Sequence, residues 1–543
     1  MRNATSFWKL GNLLSLILVL SFSTSSALPA KKQREASPKL STTTAAIPNR
    51  SQCTHRVGRL WFTETNYGFL GNQTNNLLLD CVTGGSTTSA EFPGGSNILY
   101  LFQGALWVGG IVNGDTLVSI GTDGWVYDEE RGELHADSGL SGEVVKRSND
   151  LSSPFYDVNA LSQLDLIASI LDTLTDPTFV HNPDPEEGKP FNPLGLKVTQ
   201  TSLSDSVGAL KDLIIMHYKL ENIGPNIIQD AYVGFFWDGD VGHESTPNFF
   251  QDDLSGLFQK DTVIDGQPLH IEIPYLADED GDPGSGIFRS NSPTAVAGLY
   301  LIGASQPLAK TSFNWWTPNG TVSLDWGPQK APGRRSLNNG LGQPQGDGMK
   351  YYYLSNGEKD YDQVWSALDH SAADYGFGAG WIPPLSDQSA AIDIAGGFDS
   401  RYLYSFGPFQ LPPGDTASFS IAVLLGTGFH NNPQNFNQNL GPVPENYQNP
   451  AKIRAYQNGL DFSDLTAKAV AAREKLGIVS ARGDINGDGL LSAADVVTLL
   501  NIVFLGDPPP TPSAHDLNCD GGVSPADLAL LLNLVFLGSS LPC

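Results

Sequence analysis

The sequence predicts a mainly β protein: a β-sandwich-type body with short helical insertions, then a small all-α module at the C-terminus. Three observations carry this. The chain holds 58 Gly and 36 Pro among 543 residues, a composition that favours turns and strands over long helices. Apolar runs of strand length recur between turn signals across residues 51–478. Beyond residue 478 the pattern changes to two polar loops, each followed by an apolar helical run.

Taken in order, the chain starts with Arg2 and Lys9, an apolar run at 13–22, and small residues up to Ala27 or Ala30. Residues 1–30 are therefore expected to be a secretory signal peptide. The apolar run is too short for a membrane span, which needs roughly 20 residues. Residues 31–50 are polar and Ser/Thr-rich, the composition of a flexible linker. Residues 51–478 form the body, long enough for two subdomains.

Within the body, strand-like runs at 97–112 and 116–120 flank Asn113-Gly114-Asp115, a hairpin signal. Runs at 212–221 and 227–237 flank the turn at 222–226, which predicts a second hairpin. Runs at 402–411 and 416–425 flank the turn at 412–415 and predict a third. Strands spaced by such turns point to a sandwich. Two helical insertions are expected. Residues 159–174 place Leu161, Leu164, Ile167 and Leu171 on one helical face, and 450–476 begins with Pro450 at a helix start.

Net charge narrows the partners. Lys and Arg number 31 against 58 Asp and Glu, for a formal charge of −27. That argues against nucleic acid, whose binding relies on neutralising phosphates. It suits divalent cations. Four Cys after an export signal predict two disulfides with three possible pairings; Cys53–Cys81 and Cys519–Cys543 are favoured because each pair lies within one region.

The C-terminal module, residues 479–543, is one unit written twice. The first copy reads GDINGDGLLSAADVVTLLNIVFLG and the second HDLNCDGGVSPADLALLLNLVFLG. Oxygen-bearing side chains fall at loop positions 1, 3, 5, 9 and 12. They are Asp484, Asn486, Asp488, Ser492 and Asp495, then Asp516, Asn518, Asp520, Ser524 and Asp527. Gly489 and Gly521 stand where the chain must turn around an ion, and Leu490 and Gly522 offer the position-7 carbonyls. This is calcium-loop spacing, so two Ca2+ ions are expected. A lone D-x-N-x-D-G is a polar turn, and a lone Ser-x-x-Asp is a capping box. Two copies in register favour the ion.

The pair of repeats resembles the type I dockerin family, in which two EF-hand-like loop–helix units pack together and dock onto a cohesin domain of another protein. Asp at position 12 fits that family. Positions 10 and 11, often a Ser/Thr pair in cellulosomal dockerins, are Ala493-Ala494 and Pro525-Ala526 here. The resemblance implies attachment of an extracellular protein, often within a polysaccharide-degrading assembly. The helices VVTLLNIVFL and LALLLNLVFL are apolar nearly all round, interrupted by Thr498, Asn501 and Asn533. One face is expected to bury against the sister helix. A second, carrying Phe504 and Phe536, is left for the body or for a cohesin-like partner.

The body loosely resembles uncharacterised secreted bacterial β-rich proteins through DLIIMHYKLENIG, AYVGFFWDGDVG and FGPFQLPPGDTASFSIAVLLGTG, and this implies no activity. Its sharpest feature is acidic. Asp238, Asp240, Asp252 and Asp253, with another acidic run at 278–282, are read first as exposed acidic loops of an acidic protein. The alternative is that Asp238, Asp240, Asp252 and Asp253 converge on a further cation. His243-Glu244 does not continue as H-E-x-x-H, and neither a G-x-S-x-G elbow nor a phosphate-binding loop is present. No catalytic residue is selected, although a glycosidase needs only two carboxylates. The leading expectation is a secreted, non-catalytic surface or assembly component. The alternative is a glycoside hydrolase or carbohydrate-binding protein, with Trp315, Trp316 and Trp326 as candidate sugar platforms.

Overall fold

The computed structural model describes residues 49–72, 78–124, 132–137, 142–176, 180, 190–264, 267–317, 327–328, 330, 344, 346–382, 387–476, 485, 493–506, 516–518 and 522–537. Its long strands are β1 (Gln103–Val112), β2 (Asp115–Ile120), β3 (Leu164–Leu171), β4 (Leu196–Ser204), β5 (Leu213–Asn222), β6 (Ile228–Asp238), β7 (Asp253–Ile264), β8 (Gln267–Asp278), β9 (Val296–Ala304), β10 (Lys310–Trp316), β11 (Arg401–Leu411) and β12 (Thr416–Gly426). They form two antiparallel sheets. One runs β2-β1-β6-β11-β10 and is extended by short strands; the other runs β7-β8-β9-β12-β5-β4-β3.

Alternation at period two builds the layers. In β6, Val233, Phe235 and Trp237 enter the core between the sheets, and Ile214, Met216, Tyr218 and Leu220 of β5 meet them there. The opposite face of the first sheet carries Tyr232, Phe236 and Leu403. It is covered by Met349, Tyr353 and Leu354 of helix α1 (Gly346–Ser355). The opposite face of the second sheet carries Ile215, Ala422 and Leu424. Before its cover in the chain come helices α2 (Gln388–Ala395) and α3 (Pro450–Gln457); the cover is Leu465, Ala469 and Ala472 of α4 (Ser463–Lys475). The body is thus layered helix, sheet, sheet, helix, because its central strands are apolar on both faces.

The hairpin at Asn113-Gly114 forms as expected. Val112 faces Asp115, and both turn residues take positive φ (54° and 89°), the requirement of the tight primed turn. The other two expected hairpins do not form. β5 pairs with β4 and β12, whereas β6 pairs with β1 and β11. Likewise β11 and β12 lie in different sheets. The turns at 222–226 and 412–415 are arches that carry the chain from one sheet to the other. They are tied together: the Asn222 side-chain amide donates to the Asn226 and Leu411 carbonyls, each at 2.8 Å, and Gly414 N donates to Asn222 O.

The helix expected over 159–174 is also corrected. Leu164–Leu171 is strand β3, paired in register with β4, and Leu164, Leu166, Ala168 and Ile170 are its buried set. Leu161 lies outside it and is exposed. A short apolar run fits either period, and the free edge of β4 decided between them. The helices over 450–476 are present as α3 and α4. Cys53 and Cys81 are disulfide-bonded; Cys519 and Cys543 lie outside the described residues. Among the described residues, no helix is long and apolar enough to cross a membrane.

Candidate functional site

The C-terminal segment repeats its geometry as well as its sequence. Helices α5 (Ala493–Leu505) and α6 (Pro525–Leu537) follow the two loops. Asp495 and Asp527, at loop position 12, are fully buried. Asp495 Oδ1 accepts from Ile485 N at 2.9 Å, and Asp527 Oδ1 accepts from Leu517 N at 2.7 Å. In each copy, the last carboxylate therefore holds the second residue of its own loop. Asp527 also accepts from Asn518 N at 3.1 Å, and its Oδ2 accepts from Ser524 N and Ser524 Oγ at 2.8 and 2.9 Å. The Ser524–Asp527 capping box is real, but the same carboxylate also ties the loop's start to the helix. Ile485, Leu499, Leu517 and Leu531 form the buried core beneath the loops.

The described members of the predicted ligand set are Asp495, Asp516, Asn518, Gly522, Ser524 and Asp527. Asp484, Asn486, Asp488, Leu490, Ser492 and Asp520 lie outside the described residues. The donor set is all oxygen, and a buried carboxylate closes each loop. That chemistry fits a hard cation such as calcium and does not suit softer metals.

The outer faces of α5 and α6 also match. Leu500 and Phe504 are exposed by 42 and 61 %, and their counterparts Leu532 and Phe536 by 40 and 60 %. Val497 extends the stripe on α5. This is the apolar face expected from the sequence, presented twice.

In the body, the acids at 238–253 do not form one cluster. Carboxylate oxygens of Asp238, Asp240 and Asp399 lie within 4.8 Å of one another, and so do those of Asp252, Asp278 and Glu279. Asp238 is already engaged: Arg401 Nε lies 3.0 Å from its Oδ1, and Gln103 donates to its Oδ2. Asp253 sits between the groups, directly opposite Asp278 in the β7–β8 register, and accepts from Val241 N at 3.1 Å. Burial, reinforced by Asp240, Asp252, Asp278 and Asp399, pushes the Asp253 carboxyl well above the usual range. Asp399 was missed in the sequence because it lies far along the chain, just beyond α2. The 278–282 run was visible as acidic, but nothing local showed that Asp278 and Glu279 meet Asp252.

The described Trp residues offer no sugar platform at 315–316. Trp315 and Trp316 are fully buried, and Trp107, Trp237 and Trp365 join them in the cores. Trp326 lies outside the described residues.

Fold and site together define a β-sandwich protein bearing a duplicated loop–helix module of calcium-binding type. Residues 482–535 match the family model of the dockerin type I domain. Dockerins bind calcium and dock onto cohesin-type proteins, so the match assigns this segment an attachment role. No curated protein matches the chain.

Proposed function

We propose that this is a secreted, non-catalytic component of an extracellular or cell-surface assembly, in which residues 479–543 dock the body at 51–478 onto a cohesin-like partner. The observation that carries this reading is the twin apolar face, Leu500 and Phe504 repeated as Leu532 and Phe536, within the segment matched by the dockerin model. An exposed paired patch of this kind marks a protein-binding surface. Two Ca2+ ions, one per loop, fix the helices that present it. Their ligands are Asp484, Asn486, Asp488, Leu490 O, Ser492 and Asp495, then Asp516, Asn518, Asp520, Gly522 O, Ser524 and Asp527. A further cation in the body, near Asp240 and Asp252, belongs to the same reading.

Burial of Trp315 and Trp316, the described members of the candidate platform, supports a structural body over a sugar-stacking one. Two measurements test the proposal. Binding of the full chain to immobilised cohesin domains should require calcium and be lost in Phe504→Asp or Phe536→Asp; binding retained by both variants refutes the docking face. A polysaccharide array scored for reducing-sugar release should stay blank, and sustained release by the purified chain would establish the glycosidase alternative instead.

A further inference from the structure

Four chain segments meet where the ends of the two sheets come together: 238–241 after β6, 252–253 at the start of β7, 278–282 after β8, and 396–399 after α2. Backbone contacts hold them there. Glu279 N donates to Asp252 O and Phe398 N to Asp253 O, both at 2.9 Å. Tyr456 Oη donates to Glu279 O at 2.6 Å, and His430 Nε2 lies 2.7 Å from Asp278 O. Gly397 is required at this junction: its φ is 115°, and a Cβ there would stand 2.8 Å from Asp252 O.

The group Asp252, Asp278 and Glu279 lies inside this frame. Three of its oxygens, one per residue, fit within 4.8 Å. That spacing matches oxygens around one calcium ion, which takes them at about 2.3–2.6 Å. A second, independent observation points to a ligand. Asp278 is 1 % exposed. Its Oδ1 accepts from Asp280 N and Gly281 N, but its buried Oδ2 accepts no hydrogen bond, and neither does the buried Oε2 of Glu279. Among the described residues, neither side chain has a Lys or Arg in an ion pair. A buried carboxylate oxygen with neither a donor nor a countercharge is strongly unfavourable. His430 is not placed to balance them, because its Nε2 is taken up by the Asp278 backbone carbonyl. A cavity of about 10 Å³ borders Asp278, Tyr275 and Tyr456, room for about one water.

We propose that Asp252, Asp278 and Glu279 are the protein ligands of a calcium site that clamps the start of β7 to the end of β8. This deepens the reading that the body carries its own cation, and moves that site away from Asp238 and Asp253, which are engaged by Arg401 and by Val241 N. The all-carboxylate set disfavours zinc or copper, which prefer nitrogen and sulfur.

The test uses the full chain and tryptophan fluorescence. No Trp follows Trp381, so thermal unfolding followed this way reports the body and not the C-terminal module. Saturating calcium should raise the wild-type Tm by on the order of 2 °C over chelator. Asp278→Asn and Glu279→Gln should abolish that rise and lower the calcium stoichiometry by one ion per chain. In chelator the same variants should unfold at or above the wild-type temperature, because each removes a repelling charge. That inversion also shows that the variants fold. A calcium-dependent rise kept in both variants overturns this ligand set while leaving a body cation elsewhere. A wild-type Trp transition indifferent to calcium overturns both.

Discussion

Leu531→Ala is the sharpest perturbation of the C-terminal segment. Leu531 is fully buried and shares its core with Ile485, Leu499 and Leu517. Truncating a buried Leu to Ala costs about 2–5 kcal/mol. A segment this small holds roughly 3–5 kcal/mol from its core, so the loss is comparable to all of it unless calcium compensates. Folding coupled to two ions gains stability as twice RT ln[Ca2+]. A tenfold rise in calcium is then worth about 2.7 kcal/mol. The calcium midpoint of folding should therefore move up by about 5-fold to about 70-fold. The assay is far-UV circular dichroism of the full chain against free calcium, with tryptophan fluorescence recorded in parallel as the body's reporter. Leu532→Ala is the control: Leu532 is 40 % exposed, so its midpoint should shift less than about twofold. A Leu531→Ala midpoint within twofold of wild type refutes the coupling of this core to the ions. A tryptophan signal that moves with the helical one refutes the independence of the body.

The remaining expectations concern the body. Lys468 is buried, with its ammonium 3.0 Å from Asp212 and also on Asp464 and the Leu425 carbonyl; Lys468→Ala should cost about 3–5 kcal/mol in urea unfolding, whereas Arg147→Ala, which breaks the surface Arg147–Asp157 pair, should leave the unfolding midpoint nearly unchanged. Burial, aided by Arg50, lowers His135 to about 4, so its contribution to stability is complete above pH 6.5 and is lost as pH falls through about 4. His135→Phe should therefore gain on wild type by about 3 kcal/mol between pH 7 and pH 4, measured by urea unfolding at each pH. Gly397→Ala should destabilise the body by more than about 1 kcal/mol and weaken its calcium response, since the added methyl displaces Asp252.

The sequence carried the elements of the body better than their pairing, and residues 222–226 show why. Asn222 to Asn226 reverses the chain, which local turn chemistry reveals. Whether the reversed strand pairs with its predecessor depends on which edges are free, and that is decided by distant residues. β5 is flanked by β4 and β12, and β6 by β1 and β11, so the same turn becomes an arch. Asn113-Gly114 escaped this ambiguity because a two-residue turn with both φ positive leaves the strands nowhere to go but against each other. The repeated loops were legible for another reason: duplication. Each loop's expected ligands lie within twelve residues, and the second copy repeats the spacing of the first. Asp252, Asp278 and Glu279 come from two places in the chain, brought together by the β7–β8 pairing and by the Glu279 N to Asp252 O bond beside it.

That difference separates the acids that need an ion from those that do not. A charge of −27 says only that carboxylates are plentiful. The structure handles most buried ones by ordinary means. Asp212 is paired with Lys468 and Arg59, and Asp238 with Arg401. Asp172 accepts from Leu196 N, Gly195 N and Ser119 Oγ, and Asp362 accepts from Leu257 N, Tyr275 Oη and Gln457 Nε2. Burial still raises both to about 6, so even a full set of donors does not replace water for a buried charge. Asp278 is as buried as Asp172 and Glu279 is partly buried; both are pushed well above the carboxylate range by burial and by neighbouring acids, and each keeps an oxygen with no donor. A fold that provides these three donors each for Asp172 and Asp362, yet leaves those two oxygens facing further carboxylates, has an arrangement that a bound cation accounts for and hydrogen bonding does not.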